Sequence, residues 1–244
     1  MLRSIKEING YKISATDGNI GKVHDFFFDD EIWAIRYFVV DLGTWIPGRK
    51  VLLIPSVFGE AEWKTLTIPV RLTKDQIRQS PDMSTDIPVS RQEEIKLHEH
   101  YTWVPYWAAP PPGVAPPVEL LQDEKDAEKE LQHADPHLRS VQEVTGYHIQ
   151  ASDGEIGHVE EFIVDDTDWF IRYMVIDTRN WLPGRKVLVS PGWVDHISWR
   201  ETKVFVDLPK EMIKKSPEYD PSAPINREYE ERLYDFYGRP KYWK

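Results

Sequence analysis

Cysteine is absent from this chain of 244 residues. Its absence excludes disulfides, thiol nucleophiles, zinc ribbons and iron–sulfur clusters, and it suits a reducing cytoplasm. No stretch approaches the run of about 18 apolar residues that a membrane-spanning helix needs. The first residues, MLRSIKEING, also lack the apolar core of a signal peptide. The sequence therefore predicts a soluble cytoplasmic protein without an integral membrane segment.

Basic residues are fewer than acidic ones: the chain has 30 lysines and arginines and 41 acidic residues, so its net charge is −11. Sequence-independent binding of nucleic acid requires a basic face, so we expect no nucleic-acid partner. The common catalytic motifs are also lacking: the chain contains no G-x-S-x-G, no phosphate loop and no dinucleotide fingerprint. We therefore expect no enzyme activity and no cofactor.

An internal repeat is the main feature that is present. A shift of 136 positions aligns residues 2–107 with 138–243 without a gap, beginning with LRS against LRS. The predicted domains are residues 1–107 and 138–244, joined by a proline-rich and acidic linker, 108–137. Two copies of one fold on one chain can mimic a symmetric dimer. We expect an intramolecular pseudo-dimer with an approximate two-fold axis. The sequence does not decide whether the chain also forms a homo-oligomer.

Each repeat has the pattern of a mainly β domain. Apolar residues alternate in short runs, and tight turns at Asp17-Gly18 and Asp153-Gly154 separate them. Short strands with tight turns between them are typical of a small barrel or a strongly bent sheet. A short helix follows the last strand of each repeat, and a helical tail ends it, with Asn226 and Gly238 as predicted caps of the second tail.

The segment GYKISATDGNIGKVHDFFFDD, the strand IRYFVVD and their second copies resemble the PRC-barrel family. That family includes the cytoplasmic barrel of the H subunit of bacterial photosynthetic reaction centres and the C-terminal domain of ribosome-maturation factors. The resemblance covers residues 3–80 and 139–216 and implies two tandem small β-barrels. The family shares no catalytic residues and acts largely by docking to other macromolecules. The resemblance therefore implies a non-enzymatic protein-interaction or scaffold module.

Two groups of residues carry side chains of the types that bind metal ions. The acidic turns at 29–31 and 165–168 offer carboxylate oxygens, but neither follows an EF-hand spacing, and acidic residues commonly form turns. His98 and His100 would point to different faces of a helix. We therefore predict no metal site.

The repeated turn, TWIPGRKVLL (44–53) and NWLPGRKVLV (180–189), is the candidate site. In a structural interpretation, Pro-Gly forms the turn, the tryptophan caps the barrel, and the exposed arginines contribute little to stability. In a functional interpretation, tryptophan and arginine form a recognition surface. Alternatively, the arginines bind a small anion in a cleft between the barrels, as an ion or ligand sensor would. The candidate contacts are Trp45, Arg49, Lys50, Trp181, Arg185 and Lys186.

Aromatic residues are concentrated at the ends of the repeats, in HEHYTWVPYW (98–107) and YDFYGRPKYW (234–243). These segments carry more apolar area than a surface helix leaves exposed. We expect each tail to pack on the other repeat.

Overall fold

The computed structural model describes residues 1–43, 45–81, 91–107, 137–178 and 185–243. Its mainly β character confirms the predicted fold class. The strands of the first half are β1 Leu2–Ser4, β2 Lys12–Ala15, β3 Gly18–Asp29, β4 Ala34–Asp41, β5 Lys50–Leu53 and β6 Thr67–Pro69. Those of the second half are β7 Leu138–Ser140, β8 His148–Ala151, β9 Gly154–Asp165, β10 Ile171–Asp177, β11 Lys186–Val189, β12 Val194–Ser198 and β13 Lys203–Val206.

Short helices follow the strands in the same places in both repeats. They are α1 Ile5–Ile8, α2 Lys74–Arg78, α3 Arg91–Tyr101, α4 Val141–Val144, α5 Lys210–Lys215 and α6 Arg227–Tyr237. The predicted caps of α6 are confirmed, because the Asn226 side chain accepts from the Tyr229 amide and Gly238 takes a φ of 61°. Residues 108–136 of the predicted proline-rich and acidic linker lie outside the described residues.

The strands pair into two sheets with equivalent order. One sheet runs β5-β4-β3-β2-β6 and the other β11-β10-β9-β8-β13-β12, so the repeats share one strand order and β12 is an addition at one edge. Both sheets are mixed, since β2 with β6 and β8 with β13 are parallel pairs. Neither sheet closes into a barrel through the pairings of the described strands. The closed barrels therefore stay a prediction.

The second glycine of each D-G-x-x-G turn allows a close approach between two main-chain segments. A Cβ added at Gly21 would lie 1.9 Å from the Asp41 carbonyl oxygen, and one at Gly157 would lie 2.2 Å from that of Asp177. No side chain fits at such distances, so the strand can cross its neighbour only at glycine. The register also shifts at equivalent places, between Ile13 and Ser14 in the first repeat.

The compact units of the chain differ from its two repeats. Unit 1 combines residues 1–9 and 28–35 with 140–244, whereas unit 2 combines 10–27 with 36–139. In unit 1, β1 pairs with β9 of the second repeat, with Arg3 opposite Val164. The equivalent strand β7 pairs with β3 of the first repeat. The two Leu-Arg-Ser strands are therefore exchanged between the repeats.

Side chains reinforce the exchanged strand in unit 1. Arg3 Nε lies 3.1 Å from a carboxylate oxygen of Asp166. Ser4 Oγ donates a hydrogen bond to the buried Glu161 carboxylate and also accepts from the Glu7 amide, so it caps α1. These contacts fix both the register of β1 and the start of the helix that follows it.

A second contact in unit 1 has the symmetry of a two-fold axis. The Ile35 amide donates to the Trp169 carbonyl over 2.8 Å, and the Ile171 amide donates to the Trp33 carbonyl over 2.7 Å. Both tryptophans take a left-handed backbone conformation, with φ of 59° and 60°. Each repeat thus donates and accepts at the same positions, as in an isologous contact.

Cysteine cross-linking will report the strand exchange directly. Leu2 and Asp165 are opposite each other in the antiparallel pair, a geometry that allows a disulfide. We expect the double variant Leu2→Cys, Asp165→Cys to form an intramolecular disulfide under mild oxidation, seen as faster migration on a non-reducing gel. The matched control is Leu2→Cys, Asp29→Cys, since Asp29 is the equivalent of Asp165 in the first repeat. Efficient cross-linking of the control alone would refute the exchange.

Candidate functional site

The predicted site at the repeated turn is only partly described. Trp181 lies in 179–184, outside the described residues. Trp45 is partly buried, and Lys74 Nζ lies 4.9 Å from the centroid of its indole ring. This cation–π contact joins the turn to the start of α2 in the same unit.

The arginines of the two turns bind main-chain carbonyls. Arg49 donates from Nη1 to the Arg78 carbonyl over 2.8 Å and from Nη2 to the Ser80 carbonyl, where α2 ends. Arg185 donates from Nη2 to the carbonyl of Ser216, the equivalent of Ser80. A cation at the end of a helix also interacts favourably with its dipole. Arg49 and Arg185 are both half-buried, so the expectation that they are exposed is wrong.

The lysines of the turns bind side chains on β3 and β9. Lys50 Nζ lies 2.9 Å from His24 Nε2, and Lys186 Nζ lies 2.7 Å from Glu160 Oε1, where His24 and Glu160 are equivalent positions. Burial alone would raise the pKa of Glu160, but the hydrogen bond from Lys186 and the charge of Lys6 lower it below its usual value. Arg49, Lys50, Arg185 and Lys186 are thus all engaged within their own units.

A buried tyrosine–glutamate cluster, which sequence reasoning missed, lies beneath the tail of unit 2. Glu94 Oε1 accepts hydrogen bonds from Tyr37 Oη over 2.8 Å and from Tyr106 Oη over 2.9 Å. His98 Nε2 lies 2.9 Å from Tyr37 Oη. Tyr37 and Glu94 are both 0% exposed. A tyrosine on the central strand β4 therefore holds a carboxylate on the tail helix α3.

Unit 1 contains the same cluster at equivalent positions. Glu230 Oε1 accepts from Tyr173 Oη and from Tyr242 Oη, each over 2.7 Å, and Arg227 lies 3.1 Å from the other oxygen. Tyr234 stands where the first repeat has His98. The signal that could have predicted the cluster is the recurrence of tyrosine, glutamate and tyrosine at the 136-residue offset.

These clusters correct the prediction for the tails. Each tail packs on the sheet of its own repeat, as Tyr37 with Glu94 and Tyr173 with Glu230 show, and the prediction that it packs on the other repeat is wrong. The reason is that a buried carboxylate must find hydrogen-bond donors, and the central strand of the same repeat presents a tyrosine to it.

The outer tyrosine of each cluster is covered by an arginine from the strand that carries the inner tyrosine, β4 or β10. The guanidinium carbon of Arg36 lies 3.9 Å from the ring centroid of Tyr106, and that of Arg172 lies 4.6 Å from that of Tyr242. The glutamates themselves are shielded from water, because Glu94 is 0% and Glu230 3% exposed. A carboxylate so enclosed is suited to holding the tail in place and poorly suited to meeting a substrate.

Aspartates of the acidic turns bind arginines or main-chain amides of the protein. Asp166 pairs with Arg3, and Asp168 pairs with Arg172. Asp29 accepts from the amides of Glu31 and Ile32, as turn-forming aspartates do. Within the described ranges, no group of three or more histidine or acidic side chains is placed to hold a metal ion.

Comparison with known proteins adds no family assignment. No protein-family model matches the chain, and no curated protein matches it. In the part of the chain that the structure describes, no helix has the length and apolar character needed to cross a membrane.

Removal of the turn arginine will destabilise the protein. We expect Arg49→Ala to lower the free energy of unfolding by about 2 kcal/mol, because two carbonyls lose a charged donor. The matched control is Arg78→Ala, which removes an exposed ion pair with Asp75 and should cost less than about 0.5 kcal/mol. Chemical denaturation measures both values, and equal effects for the two variants would refute the structural role of Arg49.

Alkaline pH will destabilise unit 1 through its buried tyrosines. Burial raises the pKa of Tyr219 and of Tyr237 to about 12, and it also raises that of Tyr173. A tyrosine of the unfolded chain ionises near pH 10, so between about pH 10 and 12 the unfolded state holds fewer protons than the folded state. Stability is therefore unaffected below pH 10 and falls as pH rises above it.

The measurement is a titration of tyrosinate absorbance beside circular dichroism. We expect a fraction of the 11 tyrosines to ionise only together with unfolding. Ionisation of all of them near pH 10 with an unchanged dichroism spectrum would contradict the prediction.

Proposed function

We propose that this chain is a non-enzymatic, cytoplasmic protein-interaction module built from two domains of the PRC-barrel type. The observation that carries the proposal is an apolar surface on the tail of the first repeat. Val104 is 79% exposed there, beside Trp103 and Trp107, which are partly buried. Trp103 stacks on Tyr101 with ring centroids 4.2 Å apart and planes 12° from parallel. We call Trp103, Val104 and Trp107 the tail surface.

The second repeat has a different surface at the equivalent place. Arg239 replaces Trp103 and donates to the carbonyl and a carboxylate oxygen of Asp207, both over 2.9 Å, and Pro240 replaces Val104. The fold of the tail therefore does not require an exposed apolar residue at the position of Val104, although the second tail exposes Phe236 and Tyr242, each 39%, at other positions. The presence of Val104 in one repeat favours a role in binding.

A protein is the partner that suits this surface best. Tryptophan and tyrosine are enriched at the energetic centres of protein interfaces, where rigid rings bury a large area at little entropic cost. The net charge of −11 disfavours nucleic acid and anionic membrane surfaces.

The competing functions have less support. Catalysis through the tyrosine–glutamate clusters would require contact with a substrate, and Tyr37 and Glu94 have no exposed surface. The small-anion sensor relied on Arg49 and Arg185, whose guanidinium groups already donate to carbonyls. An interaction module needs neither a reactive group nor a free guanidinium.

A single charge on the tail surface tests the proposal. We expect Val104→Asp to retain the wild-type melting temperature, because the side chain is exposed, and to lose the partner in a pull-down from an extract of the source organism. The control is Leu66→Asp, also in unit 2 and 51% exposed. Capture of the same proteins by wild type, Val104→Asp and Leu66→Asp would contradict a role for the tail surface.

A further inference from the structure

The exchanged N-terminal segment is bound in unit 1 as a peptide ligand would be. Its main chain pairs with β9 from Leu2 to Ser4, and Ile5 and Ile8 are buried. Arg3 and Ser4 bind the Asp166 and Glu161 carboxylates described above. All three kinds of contact, to main chain, apolar core and carboxylates, thus connect residues of the first repeat with residues of the second.

The opposite exchange completes unit 2. Leu138, at the start of β7, is 2% exposed and belongs to the same buried cluster as Phe27, Val39 and Leu97. Without β7, this cluster would lose a buried leucine and β3 would lose a paired strand. Loss of a leucine from a core strongly destabilises a domain. Each repeat therefore needs a segment that the other repeat supplies.

We propose that the two repeats recognise each other as separate polypeptides, so that each is a specific protein partner for another chain carrying the same repeat. The contacts described for β1 in unit 1 come from β9 and Asp166 of the second repeat. The proposal therefore gives the covalent linker the role of raising the effective concentration of one repeat near the other. The partner is defined chemically: it is a polypeptide that offers a Leu-Arg-Ser strand and accepts one in return. This inference does not rest on the proposed function.

The sequence shows that the exchanged strands are interchangeable. Arg139 and Ser140 repeat Arg3 and Ser4, and an aspartate, Asp30, stands at the position of Asp166. The strand of either repeat thus carries the groups that the other site would bind. A second copy of this chain can therefore replace the repeat on the same chain whenever the linker no longer favours the internal partner.

The experiment uses the full chain with a protease site placed within residues 108–136. After cleavage, we expect size-exclusion chromatography with light scattering to show one particle with the intact mass, 28.6 kDa, at micromolar concentration. Cleaved unlabelled and cleaved isotope-labelled protein, mixed and incubated, should give mixed pairs by native mass spectrometry. Separation of the two halves at micromolar concentration, folded or unfolded, would overturn the proposal.

A charge reversal shows whether the exchanged strand carries the recognition. We expect Arg3→Glu, which places a carboxylate beside Asp166, to accelerate exchange between cleaved pairs at least about tenfold. The double variant Arg3→Glu, Asp166→Arg should restore the slow exchange, which a merely unfolded variant would not do. The control is Lys12→Glu, an exposed position on β2. If Arg3→Glu and Lys12→Glu exchange at the same rate, the strand does not carry recognition.

Discussion

The pairing of β1 with the end of β9 is the constraint on which the organisation of this protein depends. The end of a long strand presents amides and carbonyls that must find partners when they are buried. Here β1 supplies those partners in unit 1, although 163 residues separate Leu2 from Asp165. The compact units are consequently composites of both repeats.

Inside each unit, a buried carboxylate sets the position of the tail. Glu94 and Glu230 lie on helices with many charged residues, and each is bound by one tyrosine from the central strand and one from the end of the tail. An unsatisfied buried carboxylate is costly, so the tail has one favourable docking position. The tail surface of the first repeat is held at its place by this contact, because Tyr106 lies between Val104 and Trp107 in the sequence.

Local patterns were sufficient to predict much of this fold. The strand at 35–41 and the D-G-x-x-G turn follow from alternation and turn chemistry, which act over a few residues, and the 136-residue offset predicted the equivalent strand orders. The exchange could not be predicted, because Leu-Arg-Ser occurs identically at both places and either strand suits either sheet. The role of Arg49 was also missed, since its acceptors are main-chain carbonyls about 30 residues away, which no side-chain pattern reveals.

The strand exchange also has a consequence for synthesis on the ribosome. Residues 1–9 emerge well before their binding site on β9, which is complete only after Asp165 has been added. At about 5–20 residues per second, the delay is roughly 8 to 30 s. During that time Leu2, Ile5 and Ile8 have no native partner strand to cover them, so the nascent chain presents a short apolar segment to chaperones. In unit 1, β1 is thus made long before the strand with which it pairs.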